Sequence, residues 1–144
     1  MSRLVEQITV DAPAQEVWGR MHDIEAYPRF MDNVQRAYAP STDRAHLDVR
    51  ASDMQREFDA VLADDGKSQV LSWETQGSPE LRGEFSVRSL DRDQCEVRVQ
   101  VEYEPEAIQD TFGGPKGMAQ VHRIENTVRG SLEQFKDLME SEQR

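Results

Sequence analysis

The spacing of apolar positions changes period along this chain, and each change marks an element. Residues 4–10, Leu-Val-Glu-Gln-Ile-Thr-Val, are rich in β-formers and predict a strand that ends at Asp11-Ala12-Pro13. There Asp11 is placed to cap a helix whose first turn accepts Pro13. Ala14, Val17, Trp18 and Met21 recur at i, i+3, i+4 and i+7, predicting a short amphipathic helix that stops near His22. Asp23 restarts the helical pattern, but Pro28 breaks the hydrogen-bond ladder, so a second short helical piece carries Tyr27, Phe30 and Met31.

From Val34 to Glu104 the period becomes two. Turn signals at Pro40-Ser-Thr-Asp43, Asp64-Asp-Gly66, Gly77-Ser-Pro79 and Asp91-Arg-Asp93 delimit about six strands. In the clearest, Cys95, Val97, Val99, Val101 and Tyr103 alternate with Glu96, Arg98, Gln100 and Glu102. Met54, Phe58, Ala60 and Leu62 follow the same rule, as do Leu71 with Trp73 and Phe85 with Val87. Strands with one polar face joined by tight turns form an antiparallel meander, whose apolar face needs a cover. A helical pattern opening at Gly113-Gly114-Pro115 and running to about Glu142 supplies it, roughly 40 Å long at 1.5 Å per residue. Its stripe of Val121, Ile124, Val128, Leu132, Phe135 and Met139 falls within about 80° on the helical wheel. The predicted fold class is α+β, with about seven strands in all.

At 144 residues the chain has room for one domain, expected to span residues 1–144 around a single core. Its 28 acidic and 17 basic residues give a formal charge of −11, and no basic run interrupts the acids. Nucleic acid is therefore not an expected partner, and an anionic membrane surface is disfavoured for the same reason. The N-terminal residues contain no apolar run of the signal-peptide kind, so a cytoplasmic location is the expectation. Apolar stretches such as Ala60 to Ala63 are far shorter than the ~20 residues that cross a bilayer, so no stable membrane insertion is expected. One cysteine, Cys95, forms no internal disulfide and no thiolate metal cluster. Nothing in the composition fixes the oligomeric state, which is left as monomer or homodimer.

Several segments bear a family resemblance. Asp11-Ala-Pro-Ala-Gln-Glu-Val-Trp18 looks like the first strand-to-helix junction, and Asp23-Ile-Glu-Ala-Tyr-Pro-Arg-Phe-Met31 like the second-helix signature, of the polyketide cyclase/dehydrase and lipid-transport branch of the START-like superfamily. Glu57-Phe-Asp-Ala60, Leu71-Ser-Trp73, Gly83-Glu-Phe85 and Tyr103-Glu-Pro105 resemble its strand motifs, and Leu132-Glu-Gln-Phe-Lys136 its closing helix. Phe58 stands where Trp is expected, and Asp32 where Pro often follows the second helix. The resemblance implies the helix-grip fold shared with the major birch-pollen allergen, a curved antiparallel sheet wrapped round a long C-terminal helix. It also implies a cavity that takes a hydrophobic, aromatic or polyketide-like small molecule, and, if the protein is an enzyme, polyketide-type cyclisation or dehydration. The alternatives are a non-catalytic lipid or quinone carrier and a partner-binding domain with a closed core. No cofactor is implied.

Among polar residues, Glu125 lies about 20° from Leu132 on the helical wheel, on the side assigned to the sheet. It is either a cavity carboxylate suited to proton transfer or half of an i,i+4 ion pair with Arg129. His122, three residues before it, would complete a proton-moving dyad or sit at the surface. Arg56 shares a strand face with Met54 and Phe58, where it either greets a ligand's anionic or carbonyl group or snorkels at the open end of the sheet. Tyr103 offers a phenolic donor. Glu125, His122, Arg56 and Tyr103 are thus the catalytic candidates, and Tyr27, Phe30, Met31, Phe58, Trp73, Phe85, Val121 and Val128 the candidate ligand-binding residues. Tyr27 and Phe30 are placed to act as a gate. His22, His46 and His122 lie far apart with no partner at metal-ligand spacing, so no metal is expected.

Overall fold

The computed structural model describes residues 2–51, 54–77 and 80–143. The chain runs β1 (Ser2–Val10), α1 (Ala14–Met21), a 3-10 helix (Ile24–Arg29), β2 (Val34–Ser41), β3 (Arg44–Ala51), β4 (Met54–Asp65), β5 (Val70–Thr75), β6 (Leu81–Asp91), β7 (Gln94–Tyr103), α2 (Pro105–Phe112) and α3 (Gly117–Glu142). The strands form one curved antiparallel sheet in the order β1-β7-β6-β5-β4-β3-β2, so the two short helices after β1 carry the chain from one sheet edge to the other. This is the α+β architecture that the periodicities predict. Among the described residues, no helix is long and apolar enough to cross a membrane.

Six strands lie between Val34 and Tyr103, the number expected, although the four turn signals account for only four of the five reversals between them. The extra reversal joins β3 to β4 between Ala51 and Met54, where no glycine or proline marks it. Ser78 and Pro79 of the third turn signal lie outside the described residues.

Strand β7 pairs with β1 on one side and β6 on the other, with Val97 opposite both Ile8 and Val87. Its alternation is realised as burial: Cys95, Val97, Val99 and Tyr103 are all buried beneath the helices. Asp11 does not cap α1. Pro13 holds the N-cap position without a side-chain bond, because the Asp11 carboxylate accepts from Gln94 Nε2 (2.8 Å) and its backbone N–H donates to Glu140 Oε2 (2.9 Å). Asp11 therefore joins β1 to β7 and to the end of α3.

The long helix begins at Gly117 rather than near Pro115, because a separate helix, α2, opens with Pro105 and closes at Gly113. Gly113, Gly114 and Gly117 adopt φ of +68°, +87° and +62°, a left-handed turn that glycine takes without a Cβ clash. Leu132, Phe135 and Met139 are 5%, 3% and 2% exposed, whereas Val121, Ile124 and Val128, earlier on the same stripe, are only partly buried. The C-terminal half of α3 is packed, with Phe135 edge-to-face on Phe30 at 5.0 Å. The N-terminal half stands off the sheet.

Candidate functional site

Where α3 stands off, a cavity of about 500 Å³ opens between its N-terminal half, the inner face of β3–β7, and the 3-10 helix with the residues just after it. The inner faces of β3 and β4 line it through Ala45, Leu47, Val49, Phe58, Ala60 and Leu62, the alternate positions that point away from solvent. The interior is therefore not the closed core of a partner-binding domain.

Six of the eight ligand-binding candidates lie on this wall: Tyr27, Met31, Phe58, Trp73, Phe85 and Val128. Phe30 and Val121 do not. Phe30 is buried against Tyr27 (5.4 Å between ring centroids) and Phe135, so it belongs to the packed end of the molecule. Tyr27 is 6% exposed and its hydroxyl donates to the Met21 carbonyl at 2.6 Å, which fixes the ring as a wall rather than a gate. Burial, with Asp23 nearby, raises the pKa of its phenol. Phe85 touches both Tyr27 and Trp73, at 6.4 Å in each case, so one aromatic chain runs from the cavity wall into the core.

Trp73 owes its position to a missing side chain. It pairs directly with Gly83 across β5 and β6, and a Cβ on Gly83 would lie 2.7 Å from the indole ring and 2.3 Å from the Gln100 carbonyl. Glycine here lets the indole lie flat over the neighbouring strand. The indole N–H is buried without a hydrogen-bond partner, an orphan donor in the cavity wall.

Of the four catalytic candidates, only Tyr103 reaches the cavity. It is 2% exposed, and no described residue hydrogen-bonds its hydroxyl. Burial, reinforced by the nearby Glu125 carboxylate, raises its pKa, so the phenol keeps its proton and can donate a hydrogen bond. Glu125 itself stands off the cavity. Its carboxylate is 3.9 Å from Nδ1 of a largely exposed His122, within ion-pair range but too long for the hydrogen bond that would fix a tautomer. The alternative reading of Glu125, an i,i+4 pair with Arg129, does not form either. Arg129 reaches across to Glu6 on the inner face of β1 at 3.0 Å, a partner that lies 123 residues away. Arg56 is exposed at the strand end, where its guanidinium donates to the Gln55 carbonyl.

The polar groups that do line the cavity were not singled out from sequence. Gln120, Arg123 and Thr127 follow one another along α3, and Asn33 and Thr75 face them from the sheet side. Gln120 is 4% exposed and donates to the Pro105 carbonyl at 3.0 Å, tying α2 to α3. The Arg123 guanidinium lies over Gly114, so close that a Cβ there would be 2.7 Å from Nη1. At 100° per residue, the mean direction of Gln120, Arg123, Ile124, Thr127 and Val128 differs by roughly 85° from that of Leu132, Phe135 and Met139. The helix shows one side to the sheet and an adjacent side to the void. The available signal was the i,i+4 series 120, 124, 128 with 123 and 127 beside it.

Comparison with known proteins agrees with this architecture. The chain is 26% identical over 141 residues to an uncharacterised 17.2 kDa protein from the melC2–rnhH intergenic region of Streptomyces lincolnensis, an alignment covering 97% of this chain and 91% of that one. Its fold is similar to that of the Zhui aromatase/cyclase from Streptomyces sp. R1128, with a TM-score of 0.83 and 15% identity over 99% of this chain and 96% of that one. It also resembles the di-domain aromatase/cyclase BexL of the BE-7585A biosynthetic pathway, with a TM-score of 0.74 and 21% identity over 95% of this chain, which spans 46% of that chain's length. These likenesses show the helix-grip fold, a curved sheet closed by a long C-terminal helix. The family model described as polyketide cyclase / dehydrase and lipid transport matches residues 10–125, and the chain belongs to that family.

Proposed function

We propose that this protein binds a hydrophobic, ring-containing small molecule of the polyketide kind beneath the N-terminal half of α3, with Tyr103 donating a hydrogen bond to a carbonyl oxygen of the ligand. The observation that carries this reading is the cavity itself. Its volume of about 500 Å³ lies within the usual range for small-molecule sites, and its walls are mainly aliphatic and aromatic. Trp73, Phe85 and Tyr27 offer flat surfaces to a ring, while Tyr103 offers a proton to an acceptor. A poly-carbonyl chain confined there is held folded, which removes much of the entropic barrier to ring closure. A hydrogen bond from Tyr103 to one carbonyl draws electron density from it, favouring attack by the enol carbon of a β-dicarbonyl unit of the same chain; the new C–C bond forms as the carbonyl π bond opens, and the enol proton is passed to the resulting alkoxide. A non-catalytic carrier would use the same walls without needing the phenol.

Quenching of Trp73 fluorescence by hydroxylated two- and three-ring aromatics tests binding, with Trp73→Phe as the control that leaves only Trp18 to report. Saturable quenching is expected, and Ile124→Trp, which fills the cavity, abolishes it. Tyr103→Phe weakens binding of carbonyl-bearing ligands by about tenfold, the worth of one hydrogen bond, while leaving ring hydrocarbons unaffected. Binding that persists in Ile124→Trp places the ligand elsewhere and refutes the proposal. Equal binding of carbonyl ligands by Tyr103→Phe favours the carrier.

A further inference from the structure

The face of the sheet opposite the cavity carries a second group of chemically active side chains. In β3, Ala45 and Leu47 point into the cavity, so His46 and Asp48 point out. On β4, Glu57 stands directly opposite Asp48, and Asp59 directly opposite His46. The His46 Nδ1 lies 2.8 Å from Asp59 Oδ1, and its Nε2 lies 3.0 Å from Asp48 Oδ1 and 3.5 Å from Glu57 Oε1. Tyr38, opposite His46 on β2, stacks on the imidazole at 4.9 Å, leaving the side chain only 15% exposed.

We propose that His46, Asp48 and Glu57 form a binding site for a divalent cation of the zinc type, with Asp59 as the group that orients the imidazole. Asp59 accepts the Nδ1 proton, and the Nε2 edge, which donates to Asp48 in this structure, faces the two other carboxylates, where a metal ion would take the place of the Nε2 proton. That is the carboxylate–histidine–metal arrangement, in which the outer acid sets the tautomer and raises the ligand's basicity. The register supplies a second reason. Like charges directly opposite in neighbouring strands destabilise a sheet, and Asp48 faces Glu57. Among the described residues the ion-pair partner of Asp48, Glu57 and Asp59 is His46 itself, and Arg36, which stands opposite Asp48 on β2, lies over the Tyr38 ring at 5.0 Å rather than in an ion pair with these acids. One imidazole set among three carboxylates leaves an excess of negative charge that a dication would offset.

The three ligand atoms lie within 4.8 Å of one another. Two atoms bound to one zinc at ~2.1 Å stand no more than about 4.2 Å apart, so a small inward swing completes the site. Glu57, whose side chain is 74% exposed, is free to make it. One imidazole with two carboxylates selects zinc or another first-row ion over magnesium or calcium, which prefer oxygen alone. Water fills the remaining positions. The bound ion would fasten β3 to β4 on the face away from the ligand cavity.

Titration of chelator-treated protein with zinc chloride by calorimetry, in a buffer that does not bind metal, tests the assignment. One zinc per chain is expected, with magnesium giving no heat of binding. His46→Ala and the double variant Asp48→Asn/Glu57→Gln abolish it, while His22→Ala and His122→Ala retain it. Asp59→Asn keeps the stoichiometry and weakens affinity about 10–100-fold, the usual cost of losing an orienting carboxylate. Nitrogen-15 spectra of the wild-type imidazoles provide a reading that needs no variant, since zinc should shift Nε2 of His46 and leave His22 and His122 in place. Absence of one-to-one binding, binding that survives His46→Ala, or a zinc-induced shift confined to His22 or His122 overturns the proposal. Ligand binding in the cavity is unaffected by either result, because the two sites lie on opposite faces of the sheet.

Discussion

The division of α3 into a packed half and a half that borders a void predicts that equivalent truncations along one apolar stripe have unequal costs. Leu132→Ala and Ile124→Ala each remove the equivalent of three methylene groups, a transfer term of about 2.4 kcal/mol for a fully buried side chain. Leu132 is 5% exposed within the core, so its removal also leaves an unfilled hole, bringing the cost to about 3–4 kcal/mol, within the usual range for such substitutions. Ile124 is partly exposed and already faces the cavity, so part of the transfer term and most of the hole term vanish. Alanine's better helix propensity recovers a few tenths more, leaving about 1 kcal/mol. With an unfolding entropy of ~2.1 cal/mol/K per residue, 144 residues give about 3 °C per kcal/mol, so the melting temperature should fall by roughly 10–12 °C for Leu132→Ala and about 3 °C for Ile124→Ala. Urea melts followed by circular dichroism supply the free energies. Equal losses would mean that the stripe is packed uniformly and that the cavity closes in solution.

Three further outcomes follow from particular contacts. Gly83→Ala places a methyl group against the Trp73 ring and the Gln100 carbonyl, so it should destabilise the fold by about 1–3 kcal/mol and shift the Trp73 emission, while Gly19→Ala, which meets nothing within 4 Å, does neither. The Lys136 ammonium and the Asp11 backbone N–H lower the pKa of Glu140 relative to the unfolded chain. That stabilisation is full above the ordinary glutamate value of ~4.3 and disappears as pH falls through the lower folded value, so Glu140→Gln should flatten the acid limb of a stability–pH curve. Burial pushes the Cys95 thiol up to about 11, so a thiol reagent at pH 8 should label it only after denaturant unfolds the sheet, and rapid labelling of the native protein would contradict its burial.

Much of the fold was legible because strands and helices announce themselves by local period. The alternation ending at Tyr103 became a buried face where the pattern placed it, and the stripe ending at Met139 did so from Leu132 onwards. Helix α2 was missed because its eight residues are too few to establish a period, and Pro105, its opening residue, reads equally well as the end of a strand. The candidate site was legible in its walls and not in its polar groups. Aromatic residues on alternating strand positions point inward whatever the detail of the packing, which is why Trp73, Phe85 and Phe58 were found. Glu125 lies close in angle to residues that pack against the sheet, whereas the cavity borders an adjacent side of the helix, where Arg123 and Thr127 stand.

The sequence by itself therefore determined most of the elements, which face of each is apolar, and that a long helix must cover a one-sided sheet. These follow from the chain's own geometry, 100° per residue in a helix and 180° in a strand. Only the tertiary structure decided where the cover fails to touch. A void is defined by the absence of neighbours, and the residues around it come from elements as distant as Tyr27, Phe58 and Val128. The same is true of His46 and Glu57, eleven positions apart in a sequence whose histidines otherwise have no metal-ligand spacing. Antiparallel pairing of β3 with β4 brings them together, because register joins residues by their distance from a turn and not by their distance along the chain.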